Sequence, residues 1–75
     1  MKELLLYMAK NLVTRPEEVT VTEIPGEETV LQLRVAPEDM GKVIGRGGRI
    51  AHEIRTIIKS VAQRQGVRVS VDIVD

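Results

Sequence analysis

The sequence predicts a small α+β domain in which three helices pack on one face of a three-stranded mixed sheet. Two long segments repeat apolar residues at helical spacing, a short one starts with proline and acids as helices do, and three others alternate apolar and polar residues as half-buried strands do. Glycine and proline separate these segments, so the elements follow the order α-β-β-α-α-β. Packing all helices on one sheet face is the economical way to bury these apolar surfaces. The length of 75 residues predicts one domain, residues 1–75.

The composition restricts both the core and the chemistry. The chain has no cysteine and a single aromatic residue, Tyr7, while 43% of its residues are hydrophobic, so the core must be aliphatic. Eleven basic and eleven acidic residues give a net charge of +0, which argues against a nucleic-acid binder that is basic over its whole surface. Because neither a secretory signal nor an apolar run of bilayer length is evident, we expect a cytoplasmic protein.

The first half of the sequence predicts a helix followed by a β-hairpin. The helix spans residues 1–13 and ends at the Thr-Arg-Pro sequence that follows it. Residues 18–24 and 29–35 alternate at period two and are rich in β-branched side chains, as expected for antiparallel strands. Pro25 and Gly26 between them predict a type II turn, in which the glycine takes a positive φ.

The second half predicts two helices and a third strand. A short helix begins near Pro37 and lasts to about Ile44, where a group of glycines interrupts it. A longer helix then runs to about Gln65 and stops at the glycine that follows. Residues 67–74 alternate again, and the crossover through two helices predicts a strand parallel to the second one.

The most informative segment is the Gly-Arg-Gly-Gly sequence at residues 45–48, which joins the two later helices. The cations around it, with no acid among them, are Lys42, Arg46 and Arg49. Glycine leaves the backbone open to a ligand, and the loop leads into a helix N-terminus, whose free N–H groups attract anions. The segment lacks the Gly-Lys-Ser/Thr ending of a P-loop and the preceding strand of a dinucleotide motif. We therefore predict a site for the phosphates of a nucleic acid.

Residues 43–50, Val-Ile-Gly-Arg-Gly-Gly-Arg-Ile, resemble the V-I-G-x-x-G-x-x-I core of a KH domain, and the element order resembles the type II KH topology. The whole chain is similar in size and order to the small stand-alone KH proteins of bacteria, the KhpA family. This resemblance implies that the loop clamps the backbone of about four single-stranded nucleotides. It also implies an apolar groove for the bases, walled by Val43, Ile44, Ile50 and the strand at 67–74. The implied RNA-binding residues are Lys42, Val43, Ile44, Gly45, Arg46, Gly47, Gly48, Arg49 and Ile50.

The same resemblance implies protein partners. KhpA-like proteins associate with themselves and with a larger KH protein of the Jag type, and the family has RNA-chaperone or post-transcriptional roles linked to cell shape and cell-wall homeostasis. The apolar arc of the long helix is wider than the sheet is expected to cover, and exposed aliphatic patches usually mark an interface. We therefore expect a homodimer through this helix, with Ile57 at its edge. The predicted interface residues are Ile54, Ile57, Ile58 and Val61.

Each of these features also has a purely structural explanation. The glycine loop is alternatively a tight turn with solvated arginines, and Lys42 suits a solvated charge as well as a phosphate contact. His52 is expected at the surface without a metal, because the chain has no second histidine and no cysteine to join it. Arg34, Arg55 and Arg68 are expected to be surface charges rather than ligand contacts.

Two rival functions follow from the same residues. The first is a protein-interaction module that dimerises and binds little RNA of its own. The second is an enzyme, and it is the weaker hypothesis, because the sequence has no recognisable carboxylate pair, metal cluster or nucleophile beside a base. We expect neither a cofactor nor a small-molecule substrate.

Overall fold

The predicted α+β class and the element order α-β-β-α-α-β are confirmed in the computed structural model, which describes residues 1–75. The bounds are α1 Lys2–Lys10, β1 Thr20–Ile24, β2 Thr29–Arg34, α2 Met40–Ile44, α3 Arg49–Arg64 and β3 Val69–Val74. Single turns of 3-10 helix precede β1, α2 and α3, at Pro16–Glu18, Pro37–Asp39 and Arg46–Gly48. No helix combines the length and the apolar character that crossing a bilayer requires.

The three strands form one mixed sheet in the order β1-β2-β3. The β1 and β2 strands are antiparallel, with Val21 opposite Leu33. The β2 and β3 strands are parallel, with Leu31 opposite Val71, because the chain crosses over through α2 and α3 before it returns. The predicted hairpin and parallel return are both present, and β3 is left as an edge strand.

The core lies between one face of this sheet and the helices, and its side chains are all aliphatic. Alternate residues of β2 point into it, so Leu31 and Leu33 are buried while Arg34 is exposed. Burying a side chain of this size contributes roughly 1.5–3 kcal/mol, which makes the alternation the main determinant of the register. The buried cluster consists of Leu5, Ala9, Val19, Val21, Leu31, Leu33, Val35, Val43, Ile54, Ile58 and Val71.

Two local predictions are wrong. The first helix ends at Lys10 rather than at residue 13, because the Leu12 N–H donates to the Ala9 carbonyl, three residues back, at 3.0 Å and so leaves the α-helical pattern. Gly26 does not have a positive φ. The connection between β1 and β2 spans residues 25–28, and this wider loop does not need the left-handed glycine of a type II turn.

One buried carboxylate ties the segment after α1 to the start of α2. Asp39 is fully buried, and its Oδ1 accepts hydrogen bonds from the N–H and Oγ1 of Thr14 at 3.2 and 2.8 Å. Its Oδ2 accepts one from the Arg15 N–H at 3.1 Å. Burial is the largest influence on the pKa of Asp39 and raises it, but these hydrogen bonds and Lys42 together hold the pKa below its usual value. The carboxylate therefore fixes the base of the helix that leads to the glycine loop.

Candidate nucleic-acid interface

The backbone between α2 and α3 takes a path that requires glycine. The φ values of Gly45, Gly47 and Gly48 are 77°, 64° and 78°, in the left-handed region that other residues rarely adopt. A Cβ at Gly45 would lie only 2.6 Å from Cγ1 of Ile50, so this glycine is also required by packing. A Cβ at Gly47 or Gly48 would meet nothing within 4 Å. These two glycines therefore leave bare backbone facing open space.

Hydrogen bonds hold this loop in a defined turn. The Gly45 N–H donates to the Gly41 carbonyl at 2.9 Å, and the Gly48 N–H donates to the Gly45 carbonyl at 3.1 Å. The Arg49 N–H donates to the Arg46 carbonyl, and α3 begins at that residue. α3 is 16 residues long and begins directly after the loop, so the positive end of its dipole lies beside the loop. An anion placed at the loop would be stabilised by this dipole.

The two arginines of the loop carry uncompensated positive charge. Arg46 and Arg49 are exposed, and neither takes part in an ion pair. Lys42 differs from them, because its Nζ lies 3.9 Å from Oδ1 of the buried Asp39. Its charge is partly matched by that carboxylate. Arg46 and Arg49 are therefore the cations best placed to bind phosphate, with Lys42 in a supporting position.

The three apolar residues predicted to wall the groove have different environments. Val43 has no exposed surface and belongs to the core, in the short helix that leads into the loop. Ile44 is 37% exposed beside the loop. Ile50 is half-buried and lines a recess between α1 and α3 together with Met8 and Leu12. Ile50 therefore lies on the α1 side of α3, and its place in the wall of a groove for the bases stays a prediction.

The opposite side of α3 faces β3 across two adjoining recesses, beside the strand that was expected to wall the groove for the bases. Their volumes are about 390 and 150 Å³, and both are lined by Lys59 and Val69. Arg55, which was expected to be a solvated charge, donates from its Nε to the Val71 carbonyl at 3.2 Å. The signal available in the sequence was the i, i+4 spacing of Arg55 and Lys59, which places both on one side of the helix.

The four residues of the predicted dimer interface are divided between core and surface. Ile54 and Ile58 are buried within the chain's own core. Val61 is half-buried, and Ile57 is 45% exposed at the rim of the recess between α1 and α3. Only Ile57 and Val61 therefore keep surface that a partner can contact, and the interface itself stays a prediction.

Comparison with known proteins agrees with this element order and identifies the family. A family model described as "KhpA/KhpB, KH domain" matches residues 2–73. The RNA-binding protein KhpA of Clostridium acetobutylicum is 56% identical over 75 residues, covering 99% of this chain and 100% of that protein. The RNA-binding protein KhpA of Chlamydia pneumoniae is 51% identical over 76 residues, covering 100% of this chain and 97% of that protein.

A solved structure supports the fold at lower sequence similarity. The crystal structure of Aquifex aeolicus Era bound to GDP.AlF4- superposes with a TM-score of 0.65 at 19% identity, covering 96% of this chain and 28% of that one. At such identity the likeness concerns the fold alone. The family model and the curated relatives span nearly the full length, and the chain belongs to the KhpA/KhpB family of KH-domain proteins.

Proposed function

We propose that the protein binds single-stranded RNA at the loop of residues 45–48 and is not an enzyme. The observation that carries this proposal is the bare, left-handed backbone of Gly47 and Gly48 between two unpaired arginines, Arg46 and Arg49. A sugar-phosphate backbone can approach such a surface closely because no Cβ obstructs it. The curated relatives at 56 and 51% identity are named RNA-binding proteins, which supports the same conclusion.

The mode of binding follows from what the loop offers and what the chain lacks. The loop provides positive charge and free backbone, which suit a clamp on about four nucleotides. Tyr7 is the only aromatic residue and lies on α1, so binding cannot depend on stacked bases as it does in RRM and OB folds. With about two or three phosphates contacted and a slope of roughly 0.7 for each, affinity should be low and should fall modestly with salt.

Fluorescence anisotropy with a short labelled single-stranded RNA tests this proposal. The Arg46→Asp/Gly47→Asp variant places carboxylates where phosphates would lie and leaves both helices in place. We expect its affinity to fall by roughly tenfold or more, since charge-assisted hydrogen bonds are worth about 1.5–3 kcal/mol. The control Arg64→Asp/Gln65→Asp makes the same charge change at the far end of α3 and should bind as the wild type does. Equal affinities of the loop variant and the control would show that the loop is not the site.

We also propose that the protein self-associates through the α1 side of α3. Ile57 is 45% exposed beside a recess of about 280 Å³ lined by Met8, Leu12, Ile50, Glu53 and Ile54. An aliphatic patch of this kind gains from being covered. The occupant is a second copy of the chain or a larger KH protein of the Jag type, as the family resemblance implies. The family also suggests an RNA-chaperone or post-transcriptional role in the cytoplasm, with links to cell shape and cell-wall homeostasis.

The same recess favours one alternative, in which the protein is mainly an interaction module and contributes little RNA binding. The anisotropy experiment separates the two functions. A wild type that forms a dimer but binds RNA no better than the Arg46→Asp/Gly47→Asp variant would support the interaction module.

A further inference from the structure

The two edges of the sheet are protected to different degrees. On the β3 edge, the Nε of Arg55 donates to the Val71 carbonyl at 3.2 Å and occupies it. On the β1 edge, the strand forms hydrogen bonds only with β2, and no other backbone or side-chain group of the chain bonds to it. The side chains of Thr22, Glu23 and Ile24 are exposed. The β1 edge is therefore the open edge of the sheet.

The ladder identifies the backbone groups that β1 directs outward. The Thr29 N–H donates to a carbonyl of the segment that enters β3, so Thr29 directs its backbone groups toward that strand. Backbone directions alternate along a strand, so Gln32 directs its own groups toward β1, where it lies opposite Thr22. Thr22 is thus bonded to β2. Its neighbours Val21 and Glu23 therefore direct their N–H and carbonyl groups away from the sheet.

The sequence of β1 lacks the usual protection of an edge strand. Natural edges are commonly protected by lysine, by proline or by a bulge. The strand reads Thr-Val-Thr-Glu-Ile, contains neither of those residues, and pairs with β2 over five consecutive positions without a bulge. Four of its five residues are β-branched and suit pairing. Such an edge can accept a further strand through backbone hydrogen bonds, which is the binding mode called β-augmentation.

The charge around the β1 edge indicates the kind of segment that pairs with it. Residues 16–33 contain five glutamates and no cation. Two of these glutamates precede the strand and share the single charge of Arg15. Glu23 and Glu27, at the other end, are exposed and form no ion pair. Glu28 lines the recesses beside β3 instead. The charge beside this edge is therefore negative and favours lysine or arginine in a partner.

A second copy of the chain is a poorer occupant of the same edge. An antiparallel partner places the start of one strand beside the end of the other. Two β1 strands paired in this way would bring the acidic ends of both copies together, and like charges opposite each other destabilise a pair of strands. A basic segment of a different polypeptide does not meet this repulsion.

We propose that the β1 edge binds an extended basic segment of a partner protein, which becomes a fourth strand of the sheet. The segment bonds to the backbone groups of Val21 and Glu23, and its lysine or arginine side chains lie near Glu23 and Glu27. On the helix-free face, its alternate side chains lie beside Thr22 and Ile24, and Ile24 is 40% exposed. This surface shares no residue with the glycine loop or with the recess beside Ile57.

Anisotropy with two labelled peptides tests the proposal on the unmodified chain. The probe Lys-Lys-Val-Thr-Val-Lys-Lys can pair as a strand, whereas Lys-Lys-Pro-Pro-Pro-Lys-Lys has the same charge and lacks the three central N–H groups. We expect the probe to bind about tenfold more tightly than the proline peptide, the effect of its backbone hydrogen bonds. Equal affinities, or no binding of either peptide, would overturn the proposal.

Hydrogen exchange followed by NMR locates the bound probe. In the free protein the amide protons of Val21 and Glu23 should exchange quickly, whereas that of Thr22 should be protected by its bond to β2. The probe should slow exchange at Val21 and Glu23. Slowed exchange along β3 in place of these two residues would assign the peptide to the other edge and overturn the proposal.

Glu23→Pro and Glu23→Gln form a matched pair of variants. Both remove the carboxylate, but only the proline removes the outward N–H, and a proline at such a position leaves the ladder with β2 in place. The affinity for the probe should fall about twofold in Glu23→Gln, as for an exposed ion pair, and about tenfold in Glu23→Pro. Circular dichroism checks that both variants keep the fold, and if Glu23→Pro loses it, the two measurements on the unmodified chain decide. Equal affinities of two folded variants would show that charge alone attracts the peptide and would overturn the proposal.

Discussion

The glycines of the loop serve two different purposes. Gly45 has a φ of 77° and a ψ of 174°, a backbone region that is essentially limited to glycine, and Ile50 packs against its α-carbon. Gly47 has the milder left-handed values of 64° and 19° and faces open space. Gly45 therefore packs the loop against the protein, whereas Gly47 leaves backbone exposed where the proposed RNA would approach.

Alanine substitutions should separate these two purposes. Gly47→Ala should lower the free energy of unfolding by about 1–2 kcal/mol, the cost of a left-handed alanine. Gly45→Ala should cost about 1–3 kcal/mol more, because its methyl group would overlap Ile50. Urea unfolding followed by circular dichroism measures both. Equal losses of stability in the two variants would contradict the role given to Gly45.

At this scale the sequence predicted the glycine loop but not every neighbour of it. The three glycines were recognisable because a joint between two helices with positive φ values needs them, whereas phosphate binding at the loop stays a prediction. The side of α3 on which Ile50 lies was not recognisable. Helical periodicity groups Ile50, Ile54 and Ile57 on one face, but it does not say which element packs against that face. The hydrogen bond of Arg55 could not be predicted for the same reason, because its acceptor lies on a strand distant in sequence.

Among the elements, α2 depends most on a single tertiary contact. It has only five residues, too few for a stable isolated helix, and Asp39 anchors its start to Thr14 and Arg15. The pKa of Asp39 is lowered in the folded protein. Its contribution to stability is therefore present above the unfolded-state pKa, about 3.9, and is lost as the pH falls through the folded-state value.

Removing this carboxylate should flatten the acid side of the pH–stability profile. Asp39→Asn should be less stable at neutral pH, because an amide NH₂ cannot accept the hydrogen bonds that Thr14 and Arg15 donate. Its remaining stability should then fall less steeply than that of the wild type below about pH 4. Thermal unfolding at a series of pH values measures both effects.

Glu38→Gln is the control for this experiment. The pKa of Glu38 is also lowered, first by its own backbone hydrogen bond and then by Arg15, but its side chain is exposed. Screening by solvent should leave its effect small. A profile for Asp39→Asn that runs parallel to the wild type would exclude Asp39 as the acid-sensitive group.

The order of elements was predictable from the sequence, whereas two of their details were not. The spacing of apolar residues distinguishes helix from strand over long segments, and proline or glycine separates the segments. Pro37 and Gly66 mark boundaries that the structure contains. The end of α1 was misplaced because the chain tightens there: the Leu12 N–H donates to the Ala9 carbonyl, three residues back, which apolar periodicity does not predict. The Pro25-Gly26 turn was misassigned because residue preferences do not fix the length of a loop.

For the molecule as a whole, small size makes the uncovered apolar surface important. Only 15 of the 75 residues are buried, while Leu12 and Ile57 remain exposed around one recess. A small core of this kind gains stability when a partner covers such a surface. The fold is therefore expected to be more stable as a dimer than as an isolated chain.

Static light scattering on Ile57→Asp tests this expectation. The wild type should have twice the mass of one chain, and the variant should have the mass of one chain because a carboxylate would be buried without a partner. Thr56→Asp adds the same charge at the neighbouring exposed position and should leave the dimer intact. An unchanged mass of Ile57→Asp would exclude this side of α3 as the interface.

The exposed side of α3 has one more consequence when it is considered together with the glycine loop. If Ile57 joins two copies, each copy keeps its own loop of residues 45–48, and the assembly presents two separate sites for nucleic acid. A transcript bound at one site then meets the other at a high effective concentration, so retention would depend on transcript length more than on the affinity of either site. Low affinity at each site would then be compatible with long residence on extended unstructured RNA and rapid release of short fragments.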